Sequence, residues 1–549
     1  MTMSLKSPLE MLYQWESETP NKVYLRQPIN GVYKEWTWKE TAAEVRKMGA
    51  VLKGLNLPPQ TKIGILSKNC AHWIMSDLAI MMSGHISIPM YPNLSPNSVR
   101  QILDHSETKV LFVGKLDDYE SMKPGVPEDM YCITYPFYSE SGYDTWDDLT
   151  ANVEPISENL IRDPEDLATI IYTSGTTGIP KGVMHKFYNF SFASTHAINT
   201  VKVGPDDTFF SYLPLCHIAE KILVEMGGMY SGGRVDFAES LESFAQNLAY
   251  SSPTVFLGVP RIWAKFQQGI LGKLPQKKMD MLLGIPILGG LIKKKVRKGL
   301  GLNDAKNVFT GAAPTPAALI IWFEKLGIRI QEAYAMTENC CYSHVTLNDN
   351  IKIGYVGTPL PHCDAKISED GEILIKHEAL MDGYYKEPEL TSESFTADGY
   401  LRTGDKGEID HEGFLKITGR LKDLFKTAKG KYVAPAPIEL KIEANNDIEQ
   451  VCVVGSGLPQ PLALIVLSEE GRKNSKDEIE TSLTNTLESV NNQIDHHESM
   501  KKFIVMKEEW TIENGILTPT MKVKRNDLEK VHAGKYETWY EEDGSILWE

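Results

Sequence analysis

Between Trp38 and Tyr172 the hydrophobic pattern changes period again and again, and this alternation constrains the fold more than any other feature of the chain. Apolar residues recur at helical spacing from Trp38 to Leu55, form a short unbroken run at Lys62–Leu66, and return to helical spacing over Asn69–Met82. Further short runs follow at Ile86–Pro89, Val110–Val113 and Ala168–Tyr172, with helical stretches between them. Strands separated by helices pair in parallel, because each crossover carries the chain back to the end where it started. After about Tyr342 the texture shifts to short strands with Gly and Asp turns, as in Gly371-Glu-Ile-Leu-Ile-Lys376. The charged, glycine-containing stretch from Gly419 to Val433 marks a boundary. Beyond it, strands at Val451–Val454 and Leu462–Leu467 alternate with a polar helix, Ser475–His497. The expected class is α/β: a large N-terminal domain, 1–418, of parallel-type sheets with flanking helices, containing a small β-rich subdomain at about 343–418. A smaller α+β C-terminal domain, 419–549, follows.

Composition narrows the function. Of 549 residues, 42% are hydrophobic and 24% charged, enough apolar material for a large core. A formal net charge of −16 excludes a general nucleic-acid binder, whose affinity rests on neutralising phosphates, but leaves room for a local cationic site. Seven irregularly spaced cysteines do not make a disulfide framework, and reduced thiols in a cytoplasmic protein are expected. Met1–Glu18 carries Lys6, Glu10 and Glu16 and does not read as a signal peptide. The best membrane-span candidate, Ala71–Tyr91, is interrupted by His72, Asp77 and His85.

The strongest chemical signal is Tyr172-Thr-Ser-Gly-Thr-Thr-Gly-Ile-Pro-Lys-Gly182, a strand running into a loop with three glycines, small hydroxyls and one lysine. Glycines let backbone N–H groups turn inward as an anion nest, Ser and Thr add donors, and Lys181 adds charge, which is what a polyphosphate requires. A Walker loop does not fit, since Lys181 is preceded by Pro180 and followed by Gly182.

That loop resembles the phosphate loop of the adenylate-forming superfamily of acyl-CoA synthetases, luciferases and adenylation domains. Other segments resemble that family in the same order: Leu213-Pro-Leu-Cys-His217, Gly311-Ala-Ala-Pro314, Tyr334-Ala-Met-Thr-Glu338, Arg402-Thr-Gly-Asp405, Gly419-Arg-Leu-Lys422 and Leu517-Thr-Pro-Thr-Met-Lys522. Gly258-Val-Pro-Arg-Ile-Trp263, Leu380-Met-Asp-Gly-Tyr-Tyr385 and Gly430-Lys-Tyr-Val-Ala-Pro435 look like long-chain fatty-acyl-CoA synthetases of the bubblegum-like kind.

The resemblance implies that Thr173, Ser174, Gly175, Thr176, Thr177, Gly178 and Lys181 hold the ATP phosphates. It implies that Gly311, Ala312, Ala313, Pro314 and Tyr334 clasp the adenine, and that Asp405, with Arg420 close by, holds the ribose hydroxyls. Two acceptor oxygens at fixed spacing suit a diol. Ala335 stands where the family usually has Gly. Thr337 would meet the α-phosphate and Glu338 a Mg²⁺ ion, being a hard oxygen ligand. Lys522 would be the adenylation lysine, since a positioned ammonium helps most where negative charge gathers in the transition state. His217 alone reads equally as a core histidine; the resemblance implies that it borders the acyl and phosphate sites. Lys422 would be the hinge of a mobile small domain, and Lys429, Gly430, Lys431 and Tyr432 part of a coenzyme A channel.

The expected reaction converts a long-chain fatty acid, ATP and coenzyme A to acyl-CoA, AMP and pyrophosphate. Alternatives are a fatty-acyl-AMP ligase loading a carrier protein, an aryl or medium-chain acyl-CoA ligase and, from another class, a nucleotide-binding pseudoenzyme. The resemblance leaves a homodimer open. Gly227, Gly228, Gly232 and Gly233 either give an alkyl chain room or permit close packing. Segment 277–298 joins an apolar run, 282–292, to seven basic residues with one acid, Asp280. It reads either as a core strip followed by a solvated helix or as a kinked peripheral membrane contact.

Overall fold

The structure is a computed structural model and describes residues 5–138, 142–173, 180–518 and 521–549. Two large sheets dominate. In one, the parallel strands Leu167–Thr173, Ile86–Met90, Lys62–Leu66, Val110–Val113, Tyr131–Thr134 and Asp144–Thr145 lie side by side, with antiparallel Lys181–Lys186 and Gly383–Tyr384 added beyond Leu167–Thr173. In the other, Ile330–Tyr334, Asn307–Thr310, Val255–Gly258, Thr208–Ser211, Arg234–Phe237 and Val23–Ile29 are parallel neighbours, edged by antiparallel strands. A four-stranded antiparallel sheet formed by Asp364–Ile367, Glu372–Lys376, Leu401–Ile409 and Leu415–Arg420 is the β-rich subdomain. Its last strand runs on through Arg420, which pairs with Asp405. The small domain has a mixed four-stranded sheet with its own core of Val451, Ile465, Leu483 and Phe503.

Helix Ala71–Met82 touches strands of both large sheets and is buried along its whole length, His72, Ser76 and Asp77 included. It starts two residues later than its hydrophobic pattern suggests, because the Asn69 side chain is committed elsewhere. Asn69 Nδ2 donates to Ser211 Oγ at 2.8 Å and to the Leu213 carbonyl at 2.6 Å. The polar helix is Lys476–Asn491 and ends short of His497. Ser475 and Glu478 form a capping box at its start; at its end Asn491 exchanges two hydrogen bonds with the Met500 backbone, both at 2.9 Å. The glycines after His217 serve packing. A Cβ on Gly228 would lie 2.6 Å from Val235, and one on Gly227 would lie 2.9 Å from Phe209. Segment 276–299 is broken into Gln276–Leu283 and Leu288–Gly299, and no helix among the described residues is long and apolar enough to cross a membrane.

The core contains one fully buried charge cluster. Lys221 Nζ lies 2.7 Å from Asp77 Oδ2 and 3.0 Å from Glu225 Oε2, beneath the rings of Trp73 and Phe190. Burial pushes the Glu225 carboxyl well above its usual range, with Lys221 opposing. For Lys221, burial pulls the pKa down, but Asp77 and Glu225 outweigh it and hold the ammonium charged. Removing one member of a buried pair strands the other. Lys221→Met is therefore expected to lower the unfolding free energy by about 3–5 kcal/mol at neutral pH. The loss, read from the urea midpoint by tryptophan fluorescence, should shrink at lower pH as Glu225, whose carboxyl burial raises, takes up a proton.

Candidate active site

Strands Leu167–Thr173 and Lys181–Lys186 place Thr173 directly opposite Lys181, at the two feet of the glycine-rich loop. Ser174, Gly175, Thr176, Thr177 and Gly178 lie outside the described residues. Lys181 Nζ sits over the Tyr384 ring, 5.6 Å from its centroid. Tyr384 comes from a short strand paired with Lys181–Lys186, and its hydroxyl donates to Glu338 Oε1 at 2.8 Å. One tyrosine thus ties Lys181, at the foot of the glycine-rich loop, to the acidic residue of Thr337–Asn339. It was missed as a site residue because its partner is 46 positions away; the Gly383-Tyr384-Tyr385 run was the only hint. The same turn is anchored from below. His185 Nε2 donates to the Thr337 carbonyl at 2.8 Å, and burial lowers the His185 pKa to about 4, so it does so as a neutral imidazole. The Met381 N–H donates to the Glu338 carbonyl at 2.8 Å.

Asp405 is held from two sides. Tyr334 OH donates to Oδ2 and Arg420 Nε to Oδ1, both at 2.8 Å. Burial first, and Asp405 second, push the Tyr334 phenol well above its usual range, so it remains a donor. Each carboxylate oxygen has two lone pairs, so both can still accept from a ligand hydroxyl. Gly311 follows the strand Asn307–Thr310, which lies beside that of Tyr334, and a Cβ there would come within 3.1 Å of the Ala333 carbonyl. Ala312, Ala313 and Pro314 follow on the surface, with Ala312 at φ +66°.

His217 caps the helical turn Ile218–Glu220, its Nδ1 accepting from the Ala219 N–H at 3.2 Å. The loop carrying it is pinned by two buried side chains that nothing in the local pattern marked. Asn69 Oδ1 accepts from the Leu215 N–H at 3.0 Å, and Glu220 Oε1 from the Tyr212 N–H at 2.9 Å. Burial raises the Glu220 carboxyl to about 8 and lowers the His217 pKa to about 4; the next influence on His217 is the charge of Lys522. The small domain therefore presents Lys522 to the large one. Lys522 sits on a tight turn, its N–H donating to Thr518 Oγ1 at 3.0 Å. Its side chain keeps solvent access and forms no ion pair among the described residues. The surrounding cleft walls first, then Arg420, lower its pKa, while Asp405 acts in the opposite sense. An Arg261–Glu449 ion pair also joins the two domains.

Thus Thr173, Lys181, Tyr334, Thr337, Glu338, Asp405, Arg420, His217 and Lys522 converge, carried by strand ends and turns of two domains. Lys422 lies in the exposed turn Leu421–Asp423, directly after the subdomain's last strand. Lys429, Gly430, Lys431 and Tyr432 form an exposed hairpin turn, with Gly430 at φ +73°. They make no hydrogen bond to the groups around Asp405 among the described residues; the Tyr432 carbonyl accepts from His497 Nε2 at 3.1 Å.

Comparison with known proteins places the chain in a family. The family described as AMP-binding enzyme matches residues 12–385, and the AMP-binding enzyme C-terminal domain matches residues 422–544. The chain is 30% identical to a long-chain-fatty-acid–CoA ligase of Mycobacterium bovis, covering 97% of each chain. It is 28% identical to long-chain-fatty-acid–CoA ligase 1 of Homo sapiens, over 92% of this chain and 82% of that one. Among solved structures, it shares the fold of the A domain of carboxylic acid reductase from Segniliparus rugosus in complex with AMP. The TM-score is 0.80 at 20% identity, with 98% of this chain and 95% of that one covered. It is also similar to o-succinylbenzoate CoA synthetase from Bacillus subtilis with its acyl-adenylate intermediate, with a TM-score of 0.74 at 21% identity, covering 95% and 98%.

The electrostatic contact across the domains has a direct spectroscopic signature. In the intact protein His217 should stay neutral from pH 5 to 8, with a pKa of about 4. In Lys522→Gln that value should rise yet remain below 6.5, because burial is the larger cause. Histidine-selective NMR titration checks this; an unmoved His217 would mean that Lys522 does not face it in solution.

Proposed function

The chain belongs to the AMP-binding enzyme family of adenylate-forming ligases, and we propose that it activates a long-chain fatty acid as acyl-AMP and transfers the acyl group to coenzyme A. The carrying observation is the Lys522 ammonium, which forms no ion pair among the described residues and which the small domain brings to the cleft that holds His217, Arg420 and Asp405. Support for the acyl class comes from curated relatives named long-chain-fatty-acid–CoA ligases that span nearly the whole chain.

The chemistry follows from these placements. A free carboxylate is a poor electrophile, so the fatty acid oxygen attacks the α-phosphorus of ATP and pyrophosphate leaves. Negative charge then gathers on the α-phosphate and the leaving group, where an ammonium stabilises the transition state more than the ground state. Lys522 fills that role. Thr337 donates to the α-phosphate, the glycine-rich loop with Thr173 and Lys181 holds the outer phosphates, and Asp405 accepts from the ribose hydroxyls. Tyr334 and Gly311–Pro314 border the adenine. Neutral His217 lies against the reacting carboxyl without adding charge. In the second step the thiol of coenzyme A attacks the acyl carbonyl and AMP leaves. Here the electrophile is an uncharged acyl carbon, no polyphosphate is present, and the proton lost by the thiol offsets the charge that AMP gains, so Lys522 is no longer needed, and the small domain turns about Lys422 to bring the 429–432 hairpin to the cleft.

Glu338 suits Mg²⁺. One oxygen is engaged by Tyr384, the other is available, and no cluster of three protein ligands stands among the described residues. Mg²⁺ takes one or two carboxylates and completes its shell with phosphate oxygens and water. Bound there, it would neutralise charge on the polyphosphate.

Two partial-reaction experiments test the assignment. Lys522→Ala should slow fatty-acid-dependent pyrophosphate release roughly a hundredfold, corresponding to about 3 kcal/mol of transition-state stabilisation. Thioester formation from supplied acyl-AMP should be largely spared, and equal loss in both would remove Lys522 from its role. Lys422→Pro fixes φ near about −65° at the hinge and should leave adenylation intact while slowing transfer to coenzyme A. Unchanged transfer in a folded variant would place the hinge elsewhere.

A further inference from the structure

One corner of the large domain departs from the usual division between apolar interior and charged surface. Helices Gln276–Leu283 and Leu288–Gly299 form a hairpin, with residues 284–287 as its tip. Its inner side is firmly built. Met279 is buried, Leu283 and Val296 pack on the core around Phe323, and Trp322 Nε1 donates to Gln276 Oε1 at 2.8 Å. Gly289 lets the chain pass so closely that a Cβ there would lie 2.6 Å from the Leu283 carbonyl.

The outer side is apolar. Met281 is 60% exposed, Ile285 43%, Ile287 86% and Leu291 60%. Four of the fifteen exposed large hydrophobic side chains among the described residues thus fall within eleven positions. At the tip, Ile287 is held at φ +68°, a region that a β-branched residue rarely occupies. Solvation in water rewards neither feature.

The flanks are basic. Lys277 and Lys278 open the first helix, Lys293, Lys294, Lys295, Arg297 and Lys298 fill the second half of the second, with Arg297 turned toward the Gly327 carbonyl, and none of the seven is ion-paired among the described residues. The only acid in the hairpin, Asp280, accepts a hydrogen bond from Gln276 instead. Seven unneutralised cations gathered beside exposed apolar side chains stand out in a chain of net charge −16.

We propose that this hairpin docks the protein on an anionic lipid bilayer, with Ile285, Ile287 and Leu291 entering the headgroup–acyl boundary and the lysines resting on the lipid phosphates. An exposed apolar tip with cations along both helices behind it matches a bilayer, which offers a yielding apolar layer beneath a negative surface. A protein partner would have to supply a preformed socket. The acidic remainder of the molecule is repelled by the same surface, so contact is confined to this corner. Screening limits the attraction to about 8 Å at physiological salt. Helix Pro260–Lys273, about 21 Å long at 1.5 Å per residue, links the hairpin to the domain junction at Arg261. The docking goes beyond the proposed acyl activation and is measured without any substrate, so either can fail alone.

The test is co-sedimentation of the full chain with phosphatidylcholine vesicles, with and without phosphatidylserine. Binding should require phosphatidylserine and weaken steeply with salt. Two variants change only exposed side chains. One carries Lys277→Gln, Lys278→Gln, Lys294→Gln, Lys295→Gln and Lys298→Gln; the other carries Ile287→Ser and Leu291→Ser. Each should bind at least tenfold more weakly while keeping the parent's thermal midpoint. No vesicle binding overturns the proposal, as does binding indifferent to phosphatidylserine or retained by either variant. Self-association that Ile287→Ser abolishes, without vesicle binding, would overturn it in favour of a second copy of the chain.

Discussion

The carboxylate of Asp405 joins parts of the molecule that have no other reason to meet. Tyr334 reaches it from the last parallel strand of a large sheet, and Arg420 from the final strand of the β-rich subdomain. The chain passes into the small domain within two residues of that grip, so the orientation of Lys422 and all that follows starts from a fixed point. Because Tyr334 stays protonated and Arg420 stays charged, both donate to Asp405, whose oxygens keep lone pairs to spare. A ligand that bonds to Asp405 is thereby registered against the large domain, the subdomain and the root of the small domain together.

Two lysines show how the same side chain is used in opposite ways. Lys221 is sealed in the core with two carboxylates at hydrogen-bond distance, an arrangement that satisfies its charge and fixes the helix after His217 against Ala71–Met82. Lys522 forms no ion pair among the described residues; burial and Arg420 outweigh the pull of Asp405, so its ammonium is less comfortable than a free lysine. That discomfort is relieved by an anion. The folded protein thus gathers positive potential around Lys522 and Arg420, with the cost met by folding energy elsewhere.

The small domain reaches the cleft by few direct bonds, chiefly the exposed Arg261–Glu449 pair. Surface pairs of this kind contribute little, so this contact by itself does little to hold the small domain in place. In the structure it presents the Lys522 turn, while the 429–432 hairpin stays in solvent.

Much of the frame was readable from the chain alone. Lys62–Leu66, Val110–Val113 and Leu462–Leu467 are strands with the bounds their apolar runs imply, because period and burial are written into a few adjacent residues. Helix Ser475–His497 was drawn too long for the complementary reason: a polar helix has no internal signal for its end, which the Asn491–Met500 contact sets from outside. Ordered motifs likewise brought Tyr334, Asp405, Arg420 and Lys522 into one reading. What only tertiary structure decided is the set of partners that tune them: Tyr384 between Lys181 and Glu338, Asn69 and Glu220 beneath the His217 loop, and Asp77 on Lys221. Strand, loop and helix preferences arise from neighbours along the chain. Desolvation and charge act through space, between residues as far apart as Asp77 and Lys221, and exist only once the sheets have closed around them.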